Sequence, residues 1–374
     1  LVLRPAAGQD VLVDGVAFQS LLNRLDAQRE HFNQLNRQLS THVNGLRCTT
    51  TTDTTSMVGL DGTDMWLGGV LAPNGKIYGI PYGAGSVLIL DPTSNTADIT
   101  SIQVSSGTSN WVGGVLAGNG KIYGMPNNAN AVLVVDPVTN AVDFSTIAVP
   151  NGSNKWVFGV VAGNGKIYGV PQYAASVLIV DPVTNATDIT SMTGFTILVN
   201  KWFGGTLAGN GKIYCTPFNA DSVLIIDPGT NTTDTTSITG LTGTNKWWNS
   251  VLATNGKIYG IPRDATSVLI IDPATNTADI TTMAGLSSGT GDGKWAGGVL
   301  APSGKIYGIP LSANSVLIID PATNTTDTTN VNVPVGNYKW RGGVLADNGK
   351  IYGIPSNADA AFIIHSTCTV TGGL

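Results

Sequence analysis

The sequence predicts an all-β fold, a seven-bladed β-propeller with four-stranded blades, and three observations carry that expectation. Tryptophans stand at Trp66, Trp111, Trp156, Trp202, Trp247, Trp295 and Trp340, spaced 45, 45, 46, 45, 48 and 45 residues apart, each followed ten residues on by Lys-Ile-Tyr. A fixed period in this range marks a repeat architecture. Each unit divides into four short strand-like segments joined by turn chemistry, the content of a propeller blade. The segment that the seventh unit lacks at its end is supplied at the start of the chain.

In the first unit, WLGGVLA at 66–72 is followed by Pro73-Asn74-Gly75, whose Asn-Gly is a tight-hairpin signal. KIYGIP at 76–81, SVLILD at 86–91 and TADITSI at 96–102 are the second, third and fourth strands, with Pro92 to Asn95 as the intervening turn. The third is apolar at four successive positions, Val87 to Leu90. Such a strand is buried on both faces, as in a small sheet held between two others. The seventh unit stops early: after Ile364 the Asp-Pro turn gives way to His365-Ser366-Thr367-Cys368, and no fourth strand follows. Thr50 to Leu60, TTTDTTSMVGL, matches NTTDTTSITGL at Asn231 to Leu241 without strands of its own before it. Residues 50–58 are therefore expected to complete blade seven and close the ring. That alignment brings Cys48 and Cys368 to adjoining positions of one turn, close enough for a disulfide. A disulfide implies an oxidising, extracytosolic compartment. Cys215 replaces the glycine of IYG and is expected to be buried and inert.

The order NGKIYGIP, VLIIDP, TNTTDTTSI resembles the YVTN-type β-propeller repeat over about 320 of the 374 residues. The WxGGVLAPNGKIYGIP arrays are also similar to repeats in cell-surface proteins of flagellated protists. The resemblance implies a surface or extracellular propeller and brings no catalytic residues with it.

Residues 1–47 lie outside the ring, which takes 48–374. Phe18, Leu25, Phe32 and Leu39 recur every seven residues, with Leu21 and Leu35 between them. This heptad predicts an amphipathic or coiled-coil helix starting at Asp14 or Gly15, with an extended segment before it. The arm either lies on its own ring or joins a homo- or hetero-oligomer or polymer.

Charged residues make up only 11% of the chain and the net charge is −5. No basic footprint for nucleic acid exists, and apolar runs of about five residues fall far short of a membrane span. The chain opens at Leu1 without a methionine, which is compatible with a lost secretory signal. Asn151, Asn185, Asn231 and Asn324 begin Asn-x-Ser/Thr triplets, candidate glycosylation sites of a secreted protein.

Alternating strands put the NGK and DPxTN turns on one face of the ring and the loops after strands two and four on the other. The first face is nearly invariant between units. The second varies, as YGAG, NNAN, QYAA, FNAD, RDAT, LSAN and SNAD, so specific recognition is expected there. The seven tryptophans enter from that face, either as platforms that stack sugar rings or as wedges between blades. The Asp of each Asp-Pro turn is expected to cap its own turn. With only three histidines, and acids recurring at structural turns, no metal or cofactor site is expected and the chain reads as no enzyme. The functional expectation is an extracellular structural or adhesive subunit that assembles through its arm, for instance in a surface filament. The alternative is a glycan-binding lectin that uses the tryptophan ring.

Overall fold

The computed structural model describes residues 12–13, 16–17, 46–105, 107, 109–196, 200–287 and 293–370. They fold into seven four-stranded antiparallel sheets and one two-stranded sheet. Blade 1 is built from Trp66–Leu71, Ile77–Pro81, Leu88–Asp91 and Thr96–Asp98, and the next five blades repeat that order. In blade 7 the strands Trp340–Leu345, Ile351–Pro355 and Phe362–Val370 are followed by Leu46–Asp53 from the other end of the chain. The propeller is thus closed by the first long strand completing the last blade. By compactness, Thr50–His365 forms one unit, and Leu1–Thr49 with Ser366–Leu374 forms a second.

Each third strand is buried on both faces because alternate side chains serve two interfaces. Leu88 and Leu90 pack with Trp66 of their own blade and with Tyr352, Ile354 and Ile363 of the closing blade. Val87 and Ile89 pack with Trp111, Leu133 and Val135 of blade 2. The core is therefore a circle of inter-blade clusters. The closing segment takes a full part in it: Met57 and Leu60 are 1% and 2% exposed, the Met57 carbonyl accepts from Ala361 N, and Val58 bridges to Ala360.

Turns follow their residues. Gly75, at φ 78°, closes the Asn-Gly hairpin with its N–H on Ala72 O. In the Asp-Pro turn Asp91 Oδ1 accepts from Thr93 N and Ser94 N, and Asn95 takes the left-handed conformation that Asn tolerates. The fourth strand is shorter than expected. Asp98 draws the amides of Thr100 and Ser101 onto its own carboxylate, which ends the ladder at Asp98 instead of Ile102.

Neighbouring blades are stapled on the invariant face. Asn74 Nδ2 donates to the Tyr78 hydroxyl and to Pro137 O in the next blade's Asp-Pro turn. Equivalent bonds join Asn119 to Pro182, Asn164 to Pro228, Asn210 to Pro273, Asn255 to Pro321 and, across the closure, Asn348 to Pro92. At the seventh junction both residues differ: blade 6 carries Ser303 where the others carry Asn, and blade 7 has His365-Ser366 in place of Asp-Pro.

A helix starting at Asp14 or Gly15 is corrected. Val16–Ala17 instead pairs antiparallel with Leu12–Val13. The heptad residues Phe18, Leu21, Leu25, Phe32, Leu35 and Leu39 lie outside the described residues.

Candidate functional site

The seven tryptophans are interior residues, 0–4% exposed. Each indole N–H donates to the carbonyl twenty residues on, as Trp66 to Ser86 at 2.8 Å and Trp156 to Ser176 at 2.7 Å. They pack in the clusters between blades, with Trp295 also lining a surface pocket beside Lys294 and Ser315. The glycines behind them permit close approach: a Cβ on Gly68 would lie 3.0 Å from the Gly113 Cα, and one on Gly114 would run into Ile80.

Around the mouth of the axial channel on the variable face, the backbone makes a closed girdle. The residue before each tryptophan donates its N–H to the carbonyl of the residue sixteen after the preceding tryptophan, as Asn110 to Tyr82 and Lys155 to Asn127. That latter residue in turn donates back to the residue before its own tryptophan, as Tyr82 to Met65 and Asn127 to Asn110. The circle runs through all seven blades and closes with Met65 N on Ser356 O at 3.0 Å.

Side chains from this girdle, from the position after each tryptophan and from the loop before it line a cavity of about 310 Å³. That is the lower end of the range for small-molecule sites. Unlike the rest of the repeat, these positions vary widely: the first differs in all seven blades and the second takes six different residues. Sixteen residues after each tryptophan stand Tyr82, Asn127, Gln172, Phe218, Arg263, Leu311 and Ser356, and directly after it Leu67, Val112, Val157, Phe203, Trp248, Ala296 and Arg341. On one side Phe203, Phe218 and Trp248 cluster, with Phe203 and Trp248 centroids 4.0 Å apart. On another an amide chain runs from Asn127 to Gln172 at 2.7 Å and on to Asn200. Arg263 pairs with Asp264 at 2.9 Å and lies against Phe218. Arg341 pairs with Asp64 at 2.8 Å between Tyr82 and Tyr338. Beneath the mouth, Phe158 holds a left-handed φ of 45°, a strained state for a bulky residue, and its ring rests against Gly113.

Five buried side-chain atoms among the described residues have no hydrogen-bond partner: Trp248 Nε1, Arg263 Nε, Asp264 Oδ1, Arg341 Nε and Ser356 Oγ. Trp248, Arg263 and Arg341 line this cavity, Asp264 is paired with Arg263, and Ser356 belongs to the girdle. An unsatisfied buried polar atom costs about 1–3 kcal/mol, so a native fold seldom keeps one without a use. Burial also pushes the Asp264 carboxyl up from its ordinary range, the Arg263 and Lys294 charges opposing the shift.

Lys155, Lys201, Lys246, Lys294 and Lys339, each just before its tryptophan, are 2–6% exposed. Their ammonium groups are held by backbone carbonyls, as Lys155 by Asn127, Ala129 and Gly152 at 2.8–3.1 Å. Burial pulls all five down to about 8. Among the described residues no His/Cys/Asp/Glu cluster could hold a metal ion.

Cys48 and Cys368 lie on neighbouring strands of the closing sheet, Leu46–Asp53 and Phe362–Val370, with their side chains outside the described residues. Cys215 is buried, which raises its thiol far above the ordinary range. Asn151, Asn185, Asn231 and Asn324 are all exposed. No described helix is long and apolar enough to cross a membrane.

No protein-family model and no curated protein sequence matches the chain. Solved structures do share its fold. A streptogramin B lyase matches with TM-score 0.66 at 11% identity, over 86% of this chain and 98% of that one. The extracellular domain of a hybrid two-component system from B. thetaiotaomicron matches with TM-score 0.58 at 12% identity, over 81% of this chain and 40% of that one. An auxiliary nutrient-binding protein from Bacteroides thetaiotaomicron matches with TM-score 0.53 at 14% identity, over 86% and 77%. At these identities the likeness is one of fold. It corrects the exclusion of catalysis made from the sequence: a lyase is built on this frame, so a shortage of histidines and the structural placement of most acids do not rule an enzyme out.

The sequence places recognition on this variable face, and the first residue of each variable loop is a girdle position, but the position after each tryptophan was missed: its signal was the series WL, WV, WV, WF, WW, WA, WR, which differs between blades where the tryptophan does not.

Proposed function

We propose that this protein is an extracellular recognition propeller that binds a small ligand at the axial mouth of its variable face. The observation that carries the reading is that three of the five unsatisfied buried polar atoms, on Trp248, Arg263 and Arg341, belong to residues lining the mouth, above a girdle of backbone bonds that fixes their positions. Ligand sites combine an apolar lining with a few fixed polar groups, and the aromatic cluster with Arg263 and Arg341 supplies both. Exposed sequons and the facing cysteine strands support the extracellular setting. Crystals of the full chain soaked with a fragment library test the site. Occupancy concentrated between Trp248 and Arg341 is expected, and an empty mouth with fragments gathering elsewhere overturns the reading.

Assembly with neighbours through residues 1–47 belongs to the same proposal, as the means by which a recognition ring is carried on a surface or filament. The heptad of Phe18, Leu25, Phe32 and Leu39 supports it. Removal of residues 1–45 is expected to reduce the assembled mass in light scattering, and an unchanged mass refutes it.

A further inference from the structure

Resting on the reading of the mouth as the binding site, the geometry points to its ligand class: an organic anion, with a carboxylate seated between Arg263 and Arg341 and a flat ring body on the aromatic side. Three observations converge. Of the five unsatisfied atoms, Trp248 Nε1, Arg263 Nε and Arg341 Nε can only donate, Ser356 Oγ can donate, and Asp264 Oδ1 alone is a carboxyl oxygen. A site with surplus donors is completed by a ligand with surplus acceptors, and charge-assisted bonds to a carboxylate are the strongest of these.

Charge points the same way. The five lysines just before the tryptophans have their backbones in the girdle, and none of them forms an ion pair with a described carboxylate within 4 Å. Their ammonium groups are held by peptide carbonyls, and Lys246 and Lys294 feel the charges of Asp221 and Asp264 only from beyond ion-pair distance, in a buried setting where screening is weak. The acids at the mouth, Asp64 and Asp264, are each engaged by one arginine.

Shape fixes the seat. The unsatisfied donors belong to blades 5 and 7, and blade 6 between them contributes the smallest side chains of the circle, Ala296 after its tryptophan and Gly293 two residues before it. A Cβ on Gly293 would fall 2.7–2.8 Å from Arg263, so the missing side chain is what lets that arginine lean over blade 6. Phe218, Phe203 and Trp248 lie on the blade 4 and 5 side of this seat.

The test is calorimetry on the full chain with two pairs of probes, galacturonate against methyl galactoside and 4-hydroxybenzoate against 4-hydroxybenzyl alcohol. At least one anion is expected to bind, at least tenfold more tightly than its neutral partner and more weakly as salt rises. Which anion binds tells an acidic sugar from an aromatic acid. Arg263→Gln and Arg341→Gln are each expected to weaken it at least tenfold, with Lys350→Gln on the opposite face neutral. If the arginine variants fold poorly, the salt dependence of the unaltered protein decides. Neutral partners binding as well as the anions would leave recognition at the mouth standing and overturn the anion assignment. No binding by any probe at about 10 mM, near −3 kcal/mol, also overturns it.

Discussion

Truncating Met57 and Met192 to alanine asks whether the ring is closed in solution by the N-terminal segment. Met192 sits in the middle of the chain, 2% exposed, with its carbonyl accepting from Val177 N and Thr193 bridging to Ser176. Met57 repeats that arrangement with blade 7, 1% exposed, its carbonyl accepting from Ala361 N and Val58 bridging to Ala360. Each loses its transfer energy and leaves a cavity beside a tryptophan, Trp66 for Met57 and Trp202 for Met192. Methionine-to-alanine changes in cores cost about 2–5 kcal/mol. Both variants are therefore expected to unfold at lower denaturant, by similar amounts, in equilibrium guanidinium titrations followed by tryptophan fluorescence. Should Met192→Ala cost several kcal/mol while Met57→Ala costs less than about 0.5 kcal/mol, a surface-like value, the segment is not docked and the closure argument fails.

Other outcomes follow from the same geometry. Asn164→Ser removes bonds to Tyr168 and Pro228 and is expected to cost about 1 kcal/mol in thermal melts, whereas Ser303→Asn has no Pro carbonyl to reach and should stay within about 0.5 kcal/mol. If Ser303→Asn stabilises by as much as Asn164→Ser destabilises, the staple acts within its own hairpin and not between blades. Asp98, Asp188 and Asp234 are held at about 2 first by the hydroxyls of Ser101, Ser191 and Ser237, and Asp143 likewise by Thr146. Their folded values lie below the unfolded value of about 3.9, so their stabilisation is complete above that pH and is lost as pH falls toward 2. With surface screening each is worth on the order of 0.5 kcal/mol, and a melting temperature flat from pH 5 to 2 would refute the contribution. Non-reducing peptide mapping is expected to find Cys48 linked to Cys368, worth at most roughly 5 kcal/mol for so long a loop. Recovery of two alkylated thiols under native conditions refutes the bridge.

The ring was legible because its causes are repeated side chains. Trp, Gly-Gly, Asn-Gly, Ile-Tyr and Asp-Pro each impose a local geometry wherever they recur, and the matching of Thr50–Leu60 to Asn231–Leu241 located the closure. Strand ends were less legible, since they depend on competition: Asp98 ends its strand by capturing two amides, an outcome that the alternating pattern to Ile102 does not disclose. The site was least legible. Phe203 and Trp248 follow invariant tryptophans, where an apolar residue reads as core, and only the closed ring turns that position toward a shared axis.

The division between repeated and variable positions has a physical basis in the girdle. Its bonds run between backbone N–H and C=O groups, so the circle around the mouth forms whether the residue sixteen after the tryptophan is Tyr82, Asn127, Phe218 or Arg263. Side-chain identity at the mouth is thereby separated from the stability of the ring, which rests on the tryptophans, the paired third-strand residues and the Asn-to-Pro staples. Elsewhere the two are tied: the blade that carries Ser303 in place of the stapling Asn faces the blade that carries His365-Ser366 in place of Asp-Pro. Positions that carry the ring are nearly invariant, while those at the mouth have diverged one by one, and that contrast is the pattern a recognition surface on a rigid frame should leave in a sequence.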